Sequence, residues 1–326
     1  MLCINSTYQD TFFNLASEEY LMKSFNEDLF LLYCNTPSIV VGKHQNTLAE
    51  INLSYVMEHG ITVARRISGG GTVYHDPGNL NFAFITTGTD GHLVDYRKFT
   101  RPLIDAMGTM SLKVTLGSRN ELLINKLKIS GTASHVYKQR VLHHGTLLFS
   151  SEMDHLSLAL KAPPGRFRDK AVRSVPSRIT NIRDHLTHKM EMEEFQEKIF
   201  SHIMNSVKGA SRYTYSDHDL ESIQSLVKQK YSTWEWNYGY SPKYEFRKTI
   251  TFDAGTLELQ MQVVKGVIRR VSLTGDFMST RQVHTLEEIL TGIIHDPETI
   301  RMRLSGLRVQ DYITGLDNEA LLSGMF

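Results

Sequence analysis

Residues 65–79, RRISGGGTVYHDPGN, constrain this chain more than any other stretch. Two arginines lead, three glycines follow and a His-Asp pair comes after. The apolar run GITVARRIS feeds straight into the glycines, and the alternating run NLNFAFITT follows them; both read as strands. The chain must therefore turn between strands on backbone that carries no Cβ. In one reading the glycines form a simple hairpin turn and the arginines are solvated. In the other, glycine lets the backbone approach a ligand closely and successive N–H groups form an anion-binding concavity. Arg65 and Arg66 then add charge-assisted hydrogen bonds to phosphate or carboxylate. The pattern is neither GxGxxG nor a Walker loop, because no Gly-Lys-Ser/Thr follows.

At 326 residues the chain exceeds what one hydrophobic core usually serves, which predicts two domains. Its formal net charge of +1 carries no general nucleic-acid or membrane signature, so electrostatic attraction must be local. Cys3 and Cys34 are the only cysteines. They are too few for a disulfide framework or a cysteine zinc site, and they suit a reducing cytoplasm. The opening MLCINSTYQDTFF lacks the pattern of a signal peptide, and no apolar stretch approaches the ~20 residues of a membrane span.

Periodicity predicts an early helix over 12–24, with Phe12, Leu15, Ala16 and Met22 on its apolar stripe, Glu19 on that stripe too and Glu18 beside it. These carboxylates either escape to water or line a pocket. DLFLLYC and SIVVGK read as strands around Asn35-Thr36-Pro37, and NELLINKLKISGTAS as a hairpin or two strands. VLHHGTLLFSS adds another strand, and TRPLIDAMGTMS contains a helix. Residues 161–183, rich in Pro and Arg, read as an irregular basic loop that is either solvated or faces an acidic partner surface. An amphipathic helix follows over 191–208. STWEWNYGYSP marks a domain border, and 243–326 reads as a small α+β domain. Its hairpins turn at Asp253-Ala254-Gly255 and Lys265-Gly266, and two short helices follow. The expected fold class is α+β, divided into 1–242 and 243–326.

Two further islands stand out. In KLKISGTAS, Lys128 sits on a strand, where it either reaches inward as a point charge or points to solvent. In HHGT, His143 and His144 point to opposite faces of a strand, so a shared metal ion is disfavoured and a core or pocket histidine is expected. Arg119-Asn120-Glu121 is either a turn or a group that reads a nucleotide, with Glu121 helping to hold magnesium. Backbone N–H groups, Arg, Lys and magnesium together are what adenylation of a carboxylate by ATP needs, since that chemistry is mostly positioning and charge neutralisation.

In these motifs the chain resembles bacterial lipoate–protein ligase A. RRISGGGTVYHDPGN is similar to that family's RR-x-SGGG-x-V-x-HD-x-GN pattern, KISGTA to its lysine motif, and HHGTLL, VPSRITNI and STWEWNYG to later segments. The resemblance spans essentially the whole chain. It implies a catalytic domain like class II aminoacyl-tRNA synthetases and biotin–protein ligases, with a small accessory domain. It also implies formation of lipoyl-AMP from lipoate and Mg-ATP, then transfer of the acyl group to a lysine of a lipoyl carrier. The carriers implied are 2-oxoacid dehydrogenase E2 domains and the glycine-cleavage H protein, and the implied state is a monomer.

The same resemblance assigns roles by position. Lys128 matches the essential lysine. Arg66, Ser68, Gly70, Gly71 and His75 match the loop around the acyl-adenylate. Asn120 and Thr146 match residues near the nucleotide, and Tyr33 and Glu18 match the lipoyl tunnel. Relatives often carry Asp where this chain has Glu121, and they can carry Arg where it has His135 in the ATP site; Arg140 is a candidate replacement cation. Two other functions share the implied fold: an ATP-independent octanoyl or lipoyl transferase working through a cysteine thioester, and a non-catalytic carrier-binding homologue. Neither cysteine lies in a motif that favours a thiolate.

Overall fold

The structure is a computed structural model that describes residues 1–88, 94–160 and 165–326. It contains two compact units, each discontinuous in sequence. The first gathers Met1–Lys43, Gly60–Leu158 and Ser174–Thr233; the second gathers His44–His59, Ala159–Arg173 and Trp234–Phe326. These are not the contiguous segments 1–242 and 243–326. Leu48 enters the core of the second unit, and Phe167–Asp169 adds a strand to its sheet. Both residues lie far upstream of position 243, and the alternation of the later strands gave no sign that earlier chain would join them.

The first unit is built on a six-stranded mixed sheet in the order Thr132–Tyr137, Arg140–Leu148, Asn79–Thr87, Leu29–Cys34, Leu2–Asn5 and Ser211–Arg212. The helices Tyr96–Gly108 and Met192–Ser206 supply Phe99, Leu103, Phe195, Ile199 and Phe200 to its core, with Phe149 stacked on Phe195 at 4.5 Å between ring centroids. Two three-stranded sheets complete the unit. One places Ser38–Val41 between a parallel neighbour, Thr62–Arg65, and an antiparallel one, Val73–His75. The other joins Thr115–Leu116, Leu122–Ile124 and Leu127–Ser130. The tight turn Asn125-Lys126 takes positive φ at both residues, as a two-residue hairpin requires.

The second unit is a four-stranded antiparallel sheet, Phe167–Asp169, Tyr244–Phe252, Gly255–Val264 and Val267–Asp276. Leu257, Leu259, Met261 and Val263 alternate inward and meet Leu286, Leu290, Ile300, Leu304 and Leu321 from three short helices. Lys265 and Gly266 both have positive φ at the expected hairpin. The helix Asp217–Leu226, in the first unit, lay outside the sequence reading, although Ser216 and Asp219 form a reciprocal capping box at its start. Of the expected basic loop, residues 161–164 lie outside the described residues. The rest holds the strand Phe167–Asp169, the 3-10 turn Ile182–His185 and bracing contacts described below. No helix among the described residues is long and apolar enough to cross a membrane.

The first helix, Thr11–Ser24, starts where the Asp10 carboxylate caps Phe13 N at 2.7 Å. It is buried almost all round, with Phe13 and Leu21 enclosed and Phe12 half-exposed, so the simple stripe expected from periodicity does not hold. Packing on several sides forces Glu18 and Glu19 inside as well, and each has partners. Glu19 accepts from Lys23, from Lys230 at 2.6 Å and from the Tyr231 hydroxyl at 2.6 Å. Burial alone would raise its pKa, but these bonds and the two ammonium charges outweigh burial and hold it at about 2. A carboxyl depressed in the folded state stabilises the fold above its unfolded pKa, near 4.5, and that stability is lost as pH falls toward 2. The term is roughly 3 kcal/mol at most. Urea unfolding measured from pH 6 to 2.5 should show this loss in the wild type and a flatter dependence in Glu19→Gln; equal slopes would count against it.

Candidate functional site

Arg66 anchors the glycine loop. The strand Thr62–Arg65 delivers it beside Ser38–Val41, where its own N–H bonds Val41 O at 3.1 Å. The side chain is 6% exposed. A buried guanidinium needs acceptors for its five N–H groups, and the loop supplies them. Nε donates to Ser68 Oγ at 3.1 Å, and Nη1 to Val40 O at 2.9 Å. Nη2 donates to Gly69 O and Gly71 O, both at 2.7 Å. Burial lowers the Arg66 pKa to about 10, with Glu18 and Tyr33 opposing, so the group stays charged at neutral pH. Arg65 is fully buried too, and reaches Gly42 O and Lys43 O instead.

The glycines differ in what demands them. Gly70 has φ +90°, and its oxygen lies 2.2 Å from where a Cβ on Gly42 would stand, so the loop and Gly42 touch backbone to backbone. A Cβ on Gly71 would meet Ser174 at 3.2 Å. A Cβ on Gly69 would meet nothing within 4 Å. The protein's own contacts therefore demand no glycine at 69.

A chain of buried hydrogen bonds runs from this loop to the first helix. Ser68 Oγ lies 2.6 Å from His144 Nε2, and His144 Nδ1 lies 2.7 Å from Glu18 Oε2. The Tyr33 hydroxyl donates to Glu18 Oε1 at 3.0 Å. His143 faces the other way, bonded to Ser134 Oγ at 2.9 Å and stacked on Phe99 at 4.9 Å. Burial, then the neighbouring His144, lowers the His143 pKa to about 3, so it is a neutral core histidine. Strand alternation separates the two histidines as expected, but which of them turns to the site is set by the sheet. His144 and its partnership with Glu18 were not among the residues assigned from sequence; the HHGT pattern was the available signal.

His75 is buried. Asn35 Oδ1 takes a bond from Asn14 Nδ2 at 2.8 Å, which turns the Asn35 amide nitrogen toward His75 Nδ1 at 2.9 Å. Nδ1 therefore accepts, and Nε2 carries the proton with no partner among the described residues. Burial, followed by the charges of Arg66 and His144, lowers the His75 pKa to about 3. The ring is a neutral donor awaiting an acceptor.

Lys128 lies on the strand Leu127–Ser130. Its N–H bonds Arg178 O at 2.9 Å, and its carbonyl accepts Thr180 N at 3.0 Å. Ser174 Oγ, a few residues earlier, accepts Thr72 N at 2.8 Å. Residues 174–180 thus brace both the glycine loop and the lysine strand, a role hidden behind their basic composition. Thr146 braces the next turn by accepting Gly131 N at 3.2 Å. Ala133 lies 4.0 Å from where a Gly70 Cβ would stand, so the lysine and glycine motifs meet. The Lys128 ammonium has no hydrogen-bonded or ion-paired partner among the described residues. Burial lowers its pKa; Glu121 opposes that, while Arg119 and Arg66 add to it.

The remaining assigned residues sit at the rim. Asn120 adopts φ +63° in its turn, and its carbonyl accepts from Thr132 Oγ1 at 2.8 Å. Glu121 Oε2 accepts Arg119 N at 2.7 Å, and Oε1 lies 4.0 Å from Arg119 Nε. His135 is half-buried; burial lowers its pKa, and Lys43 lowers it further. Arg140 is tied to Asn26 O, Glu27 O and the Thr87 hydroxyl, so it is no replacement cation beside His135. Both thiols are poor nucleophiles. Burial raises the Cys3 pKa, and burial with Glu193 and Asp76 raises that of Cys34 to about 12.

The sequence model of the lipoyl protein ligase A/B catalytic domain matches residues 10–204, and that of the bacterial lipoate protein ligase C-terminus matches 241–325. Lipoate–protein ligase 1 of Staphylococcus aureus is 39% identical over 320 residues, covering 98% of this chain and 97% of that protein. Lipoate-protein ligase LplJ of Bacillus subtilis is 38% identical over 322 residues, with the same coverage. Among solved structures, P. falciparum LipL1 in complex with lipoate superposes with a TM-score of 0.61 and 25% identity, covering 99% of this chain and 97% of that one. A lipoate-protein ligase A bound with ATP has the same fold over 74% of this chain and all of that one, with a TM-score of 0.63 and 24% identity. By sequence model, by relatives along nearly its whole length and by fold, the chain belongs to the lipoate–protein ligases, in the form that carries the C-terminal domain.

Proposed function

We propose that this protein joins free lipoate to ATP, forming lipoyl-AMP and pyrophosphate, and then passes the acyl group to a lysine of a lipoyl carrier domain. The carriers are E2 domains of 2-oxoacid dehydrogenases or the glycine-cleavage H protein, and the setting is the cytoplasm. The first unit carries the chemistry and the second is the accessory part. The observation that supports this most is Lys128, a desolvated ammonium with no hydrogen-bonded or ion-paired partner among the described residues, near the glycine loop. Such a group is placed for an anion that arrives with the substrate.

In adenylation the lipoate carboxylate attacks the α-phosphorus and pyrophosphate leaves. Lys128 bridges carboxylate and α-phosphate and neutralises the charge that builds between them. The loop at 69–71, held open by Arg66, surrounds the acyl phosphate, and the uncrowded side of Gly69 is its approach face. His75 Nε2–H donates to an acceptor of the bound acyl group or phosphate. Asn120 and Thr146 border the nucleotide, and Tyr33 and Glu18 close the acyl tunnel. In transfer the carrier amine attacks the acyl carbon, AMP departs, and Lys128 stabilises the leaving phosphate. No group of three His, Cys, Asp or Glu side chains able to hold a metal exists among the described residues. Magnesium would thus rest mainly on substrate phosphates with Glu121 as its one protein carboxylate, and would shield the pyrophosphate charge. The raised Cys34 thiol disfavours the cysteine transferase.

Lipoate-dependent ATP–pyrophosphate exchange tests this directly. Lys128→Ala should lower exchange turnover by about 10²–10³-fold in a folded protein, whereas Cys34→Ser should leave it near wild type. Full exchange in Lys128→Ala, or loss in Cys34→Ser, would reverse the assignment. Gly69→Ala and Gly42→Ala form a contrasting pair. Gly69→Ala should melt within a degree or two of wild type but bind the adenylate poorly, while Gly42→Ala should lose stability outright because its Cβ overlaps Gly70 O. Thermal melts alongside exchange separate the two.

A further inference from the structure

Glu18, His144 and Ser68 stand in the order and at the spacing of a hydrolase triad, 2.7 Å and 2.6 Å apart. The surrounding bonds give them a different job. Ser68 Oγ receives the Arg66 Nε–H at 3.1 Å. A guanidinium only donates, so Ser68 keeps its own proton to give, and His144 Nε2 at 2.6 Å is placed to take it. Nε2 is then the acceptor, and the ring proton sits on Nδ1, which donates to Glu18 Oε2. The other Glu18 oxygen takes the Tyr33 proton. In this arrangement every bond between Arg66 and Glu18 runs in one direction, with a guanidinium at one end, a carboxyl group at the other and the imidazole between. Glu18 is 1% exposed and His144 6%, so both depend on protein partners.

We propose that His144 is a positioning residue for adenylation, fixed as the Nδ1–H tautomer, which holds Ser68 so that Arg66 keeps its fork on Gly69 O and Gly71 O. Losing His144 frees the Ser68 hydroxyl to turn, which loosens the Arg66 Nε bond and lets the glycine loop drift from its adenylate-ready shape. The same bonds deny Ser68 a nucleophile's role. Its oxygen already shares electron density with a guanidinium, which weakens it as a nucleophile. This assignment rests on the ligase reading of the loop.

Two measurements test it. The first needs no activity: nitrogen-15 spectra of the uniformly labelled full-length protein at pH 7, with the His144 signals identified by their absence in His144→Gln. A protonated Nδ1 and a bare Nε2 are expected; an Nε2–H tautomer or an imidazolium would overturn the proposal. The second is lipoate-dependent exchange by wild type, His144→Leu, His144→Gln, Ser68→Ala and the Ser68→Ala/His144→Leu double variant. Activity in the wild type establishes the ligase reading by itself, so failure of that reading is seen separately. His144→Leu should lose about tenfold or more in turnover with a smaller change in KM for ATP. His144→Gln, which still bridges by amide, should recover much of it with an unchanged pH profile. The double variant should be no worse than the poorer single. Multiplicative losses in the double variant, or covalent labelling of Ser68 by a fluorophosphonate, would refute a positioning role.

Discussion

A guanidinium taken out of water sets the terms for everything around it. Arg66 is charged, almost sealed and possessed of no acceptor, so the surrounding chain must present oxygen in several directions at once. Val40 supplies one from a neighbouring strand, Ser68 a second from two residues on, and Gly69 and Gly71 the third and fourth. A loop without β-carbons would otherwise be among the most freely flexing parts of a protein. Here it is wrapped on a cation, and its carbonyls point inward to Arg66. The glycines provide the freedom to curl, and the arginine removes that freedom again.

The second charge in the site is left in the opposite condition. Lys128 has lost water and has no ion-paired partner among the described residues; burial lowers its pKa, against the opposing charge of Glu121. One cation is spent on architecture, and in the proposed reaction the other serves substrate. Their residue types suit this division. The forked, always charged Arg can satisfy four oxygens at once, whereas a compact ammonium suits the two anionic groups that the proposed adenylation brings together.

Much of this was legible in the chain and some was not, for identifiable reasons. Lys128 on a strand, the glycine turn between strands, the opposed faces of His143 and His144 and the Lys265-Gly266 hairpin all follow from local rules of periodicity and turn chemistry. The bond between Glu18 and His144 spans 126 positions and depends on how the first helix lies on the sheet, which no local pattern encodes. Glu18 and Glu19 were open between solvent and pocket because periodicity alone cannot show a helix enclosed on several sides. Residues 174–180 looked like a solvated basic segment because their structural work is done by backbone and by Ser174, while the arginines dominate the composition. Arg140 looked available because its sequence neighbours say nothing of the carbonyls of Asn26 and Asn26's neighbour Glu27 that hold it.

The interleaving of the two units bears on how the chain is made. The polypeptide passes from one unit to the other five times, at 43/44, 59/60, 158/159, 173/174 and 233/234. Leu48 and Phe167 leave the ribosome well before the strands at 244–276 that cover them. Until those strands emerge, apolar side chains near the start of the chain have no core to enter, and the nascent protein carries unfinished surface through most of its synthesis. A gene broken near position 242 would therefore yield a first fragment that still holds pieces of the second unit's core and a second fragment that lacks an edge strand of its sheet. Lineages that divide such an enzyme into separate polypeptides would have to redesign these borrowed segments as well as cut a linker.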